Sequence, residues 1–149
     1  MSEIIRRRGP IDILLVEDNP ADVRLTREAL AEARVASSLS VVRDGVEAMA
    51  FLRRKGKYAK STRPDLVLLD LNMPRKSGRE VLQEMKTDPE LRRIPVVVLT
   101  TSQAPDDISK AYQLNANCFV TKPVDFHRFI EIIQAIHHFW LRVATLPSE

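Results

Sequence analysis

The sequence predicts an α/β fold, a doubly wound parallel sheet of five strands with helices on both faces. Two observations carry this. Short apolar runs alternate with longer amphipathic stretches along the 149 residues, which is the pattern of repeated strand and helix units. The runs are apolar nearly throughout rather than at every second position, as strands covered on both faces must be.

Strand one is read over 11–16 (Ile11 to Val16), followed by a helix over 21–33, with Pro20 suited to a first helical position. Strand two (39–42) leads through Asp44, an N-cap residue type, into a helix over 46–55. The stretch from Gly56 to Arg63 is a surface excursion. Strand three (66–69) precedes a helix over 78–87, capped by Ser77 and stopped by Asp88-Pro89. Strand four (96–99), a helix over 106–114, strand five (118–121) and a last helix over 125–142, capped by Asp125, complete the chain. Five such units are best accommodated in the strand order 2-1-3-4-5.

A chain of this length supports one domain. It divides into a basic arm (1–10, with Arg6, Arg7 and Arg8), a folded domain (11–142) and a tail (143–149). A composition of 44% hydrophobic and 29% charged residues is that of an ordinary globular protein, with no apolar run long enough to span a membrane. The arm is not followed by the apolar core of a signal peptide. The single cysteine, Cys118, forms no intramolecular disulfide and reads as an inert core thiol, so a cytoplasmic location is expected. The net charge of +3 is spread among 20 acidic residues. The two basic clusters, Arg6 to Arg8 and Arg53, Arg54, Lys55, Lys57 and Lys60, lack interleaved aromatics, so no nucleic-acid partner is expected.

In doubly wound sheets the ligand sits beyond the carboxyl ends of the strands. There the sequence places Glu17-Asp18 after strand one, Asp70 after strand three, Thr100 after strand four and Thr121-Lys122-Pro123 at the end of strand five. Three carboxylates gathered on one rim repel unless a cation neutralises them. A hard divalent ion, Mg²⁺ or Mn²⁺, suits Asp18 and Asp70 together with a backbone carbonyl. Asp70 is then a nucleophile toward a phosphoryl group, whose oxygens find partners in Lys122 and Thr100.

These residues bring the sequence to a known family. Leu14-Leu15-Val16-Glu17-Asp18, Leu68-Leu69-Asp70 through Ser77-Gly78, Val98-Leu99-Thr100 and Thr121-Lys122-Pro123 resemble the motifs of response regulator receiver domains over about 11–136. The resemblance implies the flavodoxin-like (βα)₅ fold and transfer of a phosphoryl group from a histidine kinase onto Asp70. It implies a metal site of Glu17, Asp18, Asp70 and the Asn72 carbonyl. It further implies phosphoryl contacts from Thr100 and Lys122, a cis bond before Pro123, an aromatic switch at Phe119 acting with Thr100, and lifetime tuning by Asn72 and Ser102. Within the family the chain is similar to small regulators that partner bacterial phytochromes. The pointers are the excursion before Asp65, Thr100-Thr101-Ser102, Phe139-Trp140-Leu141 and Thr145-Leu146-Pro147.

No output domain is expected after the last helix, so output is a change of surface. On that helix Phe126, Ile130, Ile133 and Ile136 or His137 form one stripe, while Phe129, Ile132, Phe139 and Trp140 extend it beyond what one sheet face covers. The excess predicts a homodimer through the fourth helix, fifth strand and last helix. His127, His137 and His138 all lie on this helix, away from the acidic rim, and form no zinc site.

Other classes fit less well. An aspartyl-nucleophile phosphohydrolase needs a second acid two residues after the first, and Asn72 stands there. The four glycines, Gly9, Gly45, Gly56 and Gly78, build neither a dinucleotide turn nor a P-loop. An unphosphorylated binding module of the same fold would have lost an acid or the lysine, and both are present. The expected role is therefore a phosphoacceptor, acting as an enzyme only upon itself.

Overall fold

The computed structural model describes residues 10–71, 73, 75–100, 118–121 and 125–139, with the backbone alone at Thr100, Cys118, Phe119, Thr121, Ile136 and Phe139. The strands are β1 (Ile11–Val16), β2 (Ser37–Val42), β3 (Leu66–Asp70), β4 (Val96–Thr100) and β5 (Cys118–Thr121). They form one parallel sheet in the order 2-1-3-4-5, as the sequence predicts. The helices are α1 (Pro20–Glu32), α2 (Gly45–Leu52), α3 (Gly78–Thr87) and α4 (Phe126–Phe139). The predicted helix over 106–114, and residues 140–142 of the last one, lie outside the described residues.

Strand periodicity divides the core into two layers. Leu14, Val16, Val42, Val67, Leu69, Val96 and Val98 face α2 and α3, meeting Ala48, Met49, Leu52, Val81, Leu82 and Met85. Ile11, Ile13, Leu15, Leu66, Leu68, Val97 and Leu99 face α1 and α4, meeting Ala29, Leu30, Phe129 and Ile133. Phe129 is only 2% exposed. It fills the inner layer rather than extending the stripe outward, because α4 turns the ring onto residues of β1, β3 and β4. Phe126, Ile130 and Ile132 are partly buried around it. Phe129 therefore has no surface left for a second copy of the chain.

Helix ends follow their capping chemistry. Ser77 and Glu80 form a reciprocal capping box at the start of α3. Asp125 accepts from the Arg128 amide at 3.0 Å, and Asp44 accepts from the Glu47 amide at 2.8 Å. Asn19, which the sequence reading did not single out, caps α1 through the Ala21 amide at 2.9 Å. Arg34 and Arg54 take left-handed φ values of 57° and 56° just past α1 and α2. Both positions close Schellman-type ends: the Val35 amide bonds back to Leu30 and the Lys55 amide to Ala50.

The excursion is short and anchored. Gly56–Tyr58 is a 3₁₀ turn whose Tyr58 ring lies 5.1 Å from that of Phe51 and whose hydroxyl donates to Glu47 at 2.8 Å. Burial and the Glu47 carboxylate push the phenol up to about 12, so it remains a donor at every ordinary pH.

Two glycines allow backbones to touch beside the sheet's carboxyl end. A Cβ on Gly78 would overlap the Asp70 carbonyl and the Leu71 Cα, and one on Gly45 would overlap the Lys76 carbonyl. Rigid backbone on the far side cannot yield as a side chain can. Gly78→Ala is expected to destabilise the fold by about 1–3 kcal/mol, read as a lower urea midpoint at unchanged slope. A midpoint equal to wild type would mean the Asp70 segment moves aside freely.

Candidate functional site

The rim at the carboxyl ends of the strands is fixed by strand register. Ile13 pairs with Leu66 and Val16 with Leu69, so the residues after Val16 emerge beside Asp70. One carboxylate oxygen from each of Glu17, Asp18 and Asp70 can be chosen so that all three lie within 4.8 Å of one another. Glu17 is 1% and Asp70 5% exposed, while Asp18 is exposed. Glu17 also accepts from the Asn19 amide at 3.2 Å, which ties the rim to the start of α1.

Like charges gathered with two members out of water are costly unless a counter-charge joins them. All three donors are hard carboxylate oxygens, and their spacing is one that a single divalent cation with oxygen ligands at about 2.0–2.6 Å can bridge. Among the described residues the cluster has no sulfur or nitrogen donor, and an all-carboxylate set suits magnesium or manganese better than zinc. The rim thus fits the metal expected from the sequence.

The remaining predicted site residues are placed unequally. Thr100 closes β4 in register with Thr121, and Asp70 pairs with Leu99, so the Thr100 backbone lies one step beyond Asp70 on the neighbouring strand. Phe119 pairs with Val98 within β5. Asn72, Ser102, Lys122, Pro123 and Trp140 lie outside the described residues. Ile132 is half-buried on α4, and of Phe139 only the helical backbone is described.

One constellation escaped the sequence reading. Arg75, in the loop after Asp70, donates from Nε at 3.1 Å and also from Nη2 to the same Oδ2 of Asp44. Asp44 was legible as a cap, but nothing in a separation of 31 residues announces its second partner. Beside it, Lys76 and Arg53 both pair with Glu84 of α3.

Three comparisons bear on this geometry. Residues 13–134 match the response regulator receiver domain. Response regulator Rcp1 of Synechocystis sp. is 50% identical over 139 residues, covering 93% of this chain and 95% of the relative. Among solved structures, the phosphorylated cyanobacterial phytochrome response regulator RcpA superposes with a TM-score of 0.83 at 55% identity, covering 94% of this chain and 100% of that one. The Mn²⁺-bound form of Rcp1 superposes with a TM-score of 0.81 at 50% identity, covering 93% and 100%.

The Asp44 carboxyl makes a pH prediction. Burial pushes it up, but the Glu47 amide, the Arg75 guanidinium and the Val46 amide together outweigh burial and hold it below its ordinary 3.8. A carboxyl lowered by folding binds more protons in the unfolded chain. Its contribution is therefore full above pH 3.8 and is lost as pH falls through the lower, folded value. In urea unfolding, the stability gap between wild type and Asp44→Asn is expected to be widest near neutrality and to close as pH falls below 3.8 and through the lower, folded value. A gap independent of pH would assign the effect to packing instead.

Proposed function

The chain belongs to the response regulator receiver family, and from that premise we propose that Asp70 is the residue it offers to a sensor histidine kinase. The observation that supports this most directly is the position of Asp70: buried at the end of a central strand, within 4.8 Å of two further carboxylates. A buried carboxylate among carboxylates is a poor structural residue. It is a good nucleophile once a cation shares the site.

Glu17, Asp18 and Asp70 would hold Mg²⁺ or Mn²⁺, with the Asn72 carbonyl completing the set; when bound, the ion neutralises the rim and the charge on the incoming phosphoryl oxygens. The step itself is simple. An Asp70 carboxylate oxygen bonds to phosphorus, the P–N bond of the kinase phosphohistidine breaks, and the electron pair leaves with the imidazole. Lys122 and Thr100 pair the remaining phosphoryl oxygens. Water later hydrolyses the acyl phosphate at a rate set in part by Asn72 and Ser102. The chain thus catalyses its own modification and its reversal.

Output follows from the new charge. Thr100 turning toward the phosphoryl group and Phe119 filling the space behind it convert a local event into an altered surface. The likeness to the phytochrome regulator RcpA and to Rcp1 supports a light-sensing kinase of the phytochrome class as partner. Among the described residues no helix is long and apolar enough to cross a membrane, which supports the cytoplasmic placement such a kinase requires. A homodimer drawing on Ile132, Phe139 and Trp140, but not on the buried Phe129, is part of the same reading.

Acetyl phosphate with Mg²⁺ is expected to add one phosphoryl mass to the wild type and none to Asp70→Asn. Asp18→Asn should weaken Mg²⁺ binding by at least the tenfold or so that follows loss of a supporting group. Labelling that survives Asp70→Asn would move the acceptor elsewhere. Sedimentation across a wide concentration range tests assembly: a monomer at all concentrations, phosphorylated or not, would sink the dimer.

A further inference from the structure

We infer that Arg75 and Asp44 are a positioning pair that anchors the chain leaving the phosphoacceptor beside the acidic rim, an inference that rests on Asp70 being that acceptor. The loop from Leu71 to Ser77 is tied at its ends by backbone. The Leu71 amide donates to Leu99 at 3.3 Å and the Gly78 amide to Leu71 at 3.0 Å. Arg75, between them, has a different anchor. Arg75 takes a φ of +66°, a left-handed conformation that a residue with a Cβ adopts at a cost. Arg34 and Arg54 share that conformation, but each closes a helix, whereas Arg75 does not.

What holds Arg75 there is its side chain. The Asp44 carboxylate is fixed before Arg75 reaches it: the side chain is 10% exposed, and Oδ1 is held by the Glu47 amide at 2.8 Å. That leaves Oδ2 for the guanidinium, which donates to it from Nε and Nη2. The Arg75 side chain itself is 61% exposed, so the anchor is the buried partner and the loop is the part being held. Next to the pair, Gly45 lets the Lys76 carbonyl seat directly on the start of α2. β2 and β3 flank β1 in the sheet, so a tether from Asp44, two residues past the end of β2, to the loop after Asp70 spans the strand that delivers Glu17 and Asp18. A loop held in a costly conformation by a preset partner is how outer residues orient the groups that touch a metal.

Glycine separates backbone from tether. Arg75→Gly accepts a positive φ freely but has no guanidinium, and Asp44→Asn keeps a capping oxygen for Glu47 while losing the charge. Both are expected to lower Mg²⁺ affinity in calorimetry by about tenfold, to speed amide exchange across residues 70–78 in metal-free protein, and to slow acetyl-phosphate labelling at limiting Mg²⁺ while saturating Mg²⁺ restores it. Arg75→Lys should recover part of the affinity, and the double variant Asp44→Asn/Arg75→Gly should lose no more than either single one. Urea midpoints verify that each variant is folded. Folded single variants with wild-type Mg²⁺ affinity and wild-type exchange would overturn the positioning role, whereas a wild-type chain that binds Mg²⁺ but takes no phosphoryl group would fell the acceptor reading and the inference with it.

Discussion

The register between β1 and β3 pairs Val16 with Leu69, so that Glu17, Asp18 and Asp70 leave the sheet side by side. The packing of side chains on both faces of the sheet keeps that register. A slip of one residue would send Ile11, Ile13 and Leu15 to the α2/α3 layer and Leu14 and Val16 to the α1/α4 layer, exchanging two fitted sets of side chains at once. Apolar packing on both faces thus imposes a charge arrangement that the carboxylates, left to themselves, would avoid. The repulsion at the rim is a cost borne by the whole core, and a bound cation relieves it.

Around this rim the connections do more than join elements. Asn19 caps α1 while its amide reaches Glu17. Asp44 caps α2 while holding Arg75. Ser77 opens α3 at the residue before Gly78, which lies against the Asp70 carbonyl. Each of these three helix starts has a second contact with a segment bearing a rim carboxylate, or with the loop that leaves one. The free N–H groups of helix starts face the same end of the sheet, where negative charge collects.

Much of this was legible from the chain. Strand order, the strand-end acids and the caps Asp44, Ser77 and Asp125 follow from patterns confined to a few residues, where local chemistry decides. Asp18 and Asp70 were legible as candidate metal ligands by their placement after strands. Glu17 joined them only through the family likeness, because an acid beside another acid is ambiguous until register shows that both face the cluster. What sequence could not supply depends on separation or on rotation. The Asp44 to Arg75 pair links positions 31 residues apart. Phe129 was assigned to the outer side of the last helix because a helical wheel has no absolute origin, and only the sheet beneath shows which side is inner. β2 starts two residues earlier than its apolar run, since Ser37 and Ser38 pair with β1 at an edge where burial demands little.

The division of the core into two layers bears on how such a molecule can change over generations. The sheet stands between α2 and α3 on one side and α1 and α4 on the other, and the two sets of side chains do not share partners. Substitutions in separated layers combine nearly additively. One layer supports α2 and α3, and the other supports α1 and α4. Lineages can therefore rewrite one layer, one tolerated exchange at a time, without repacking the other.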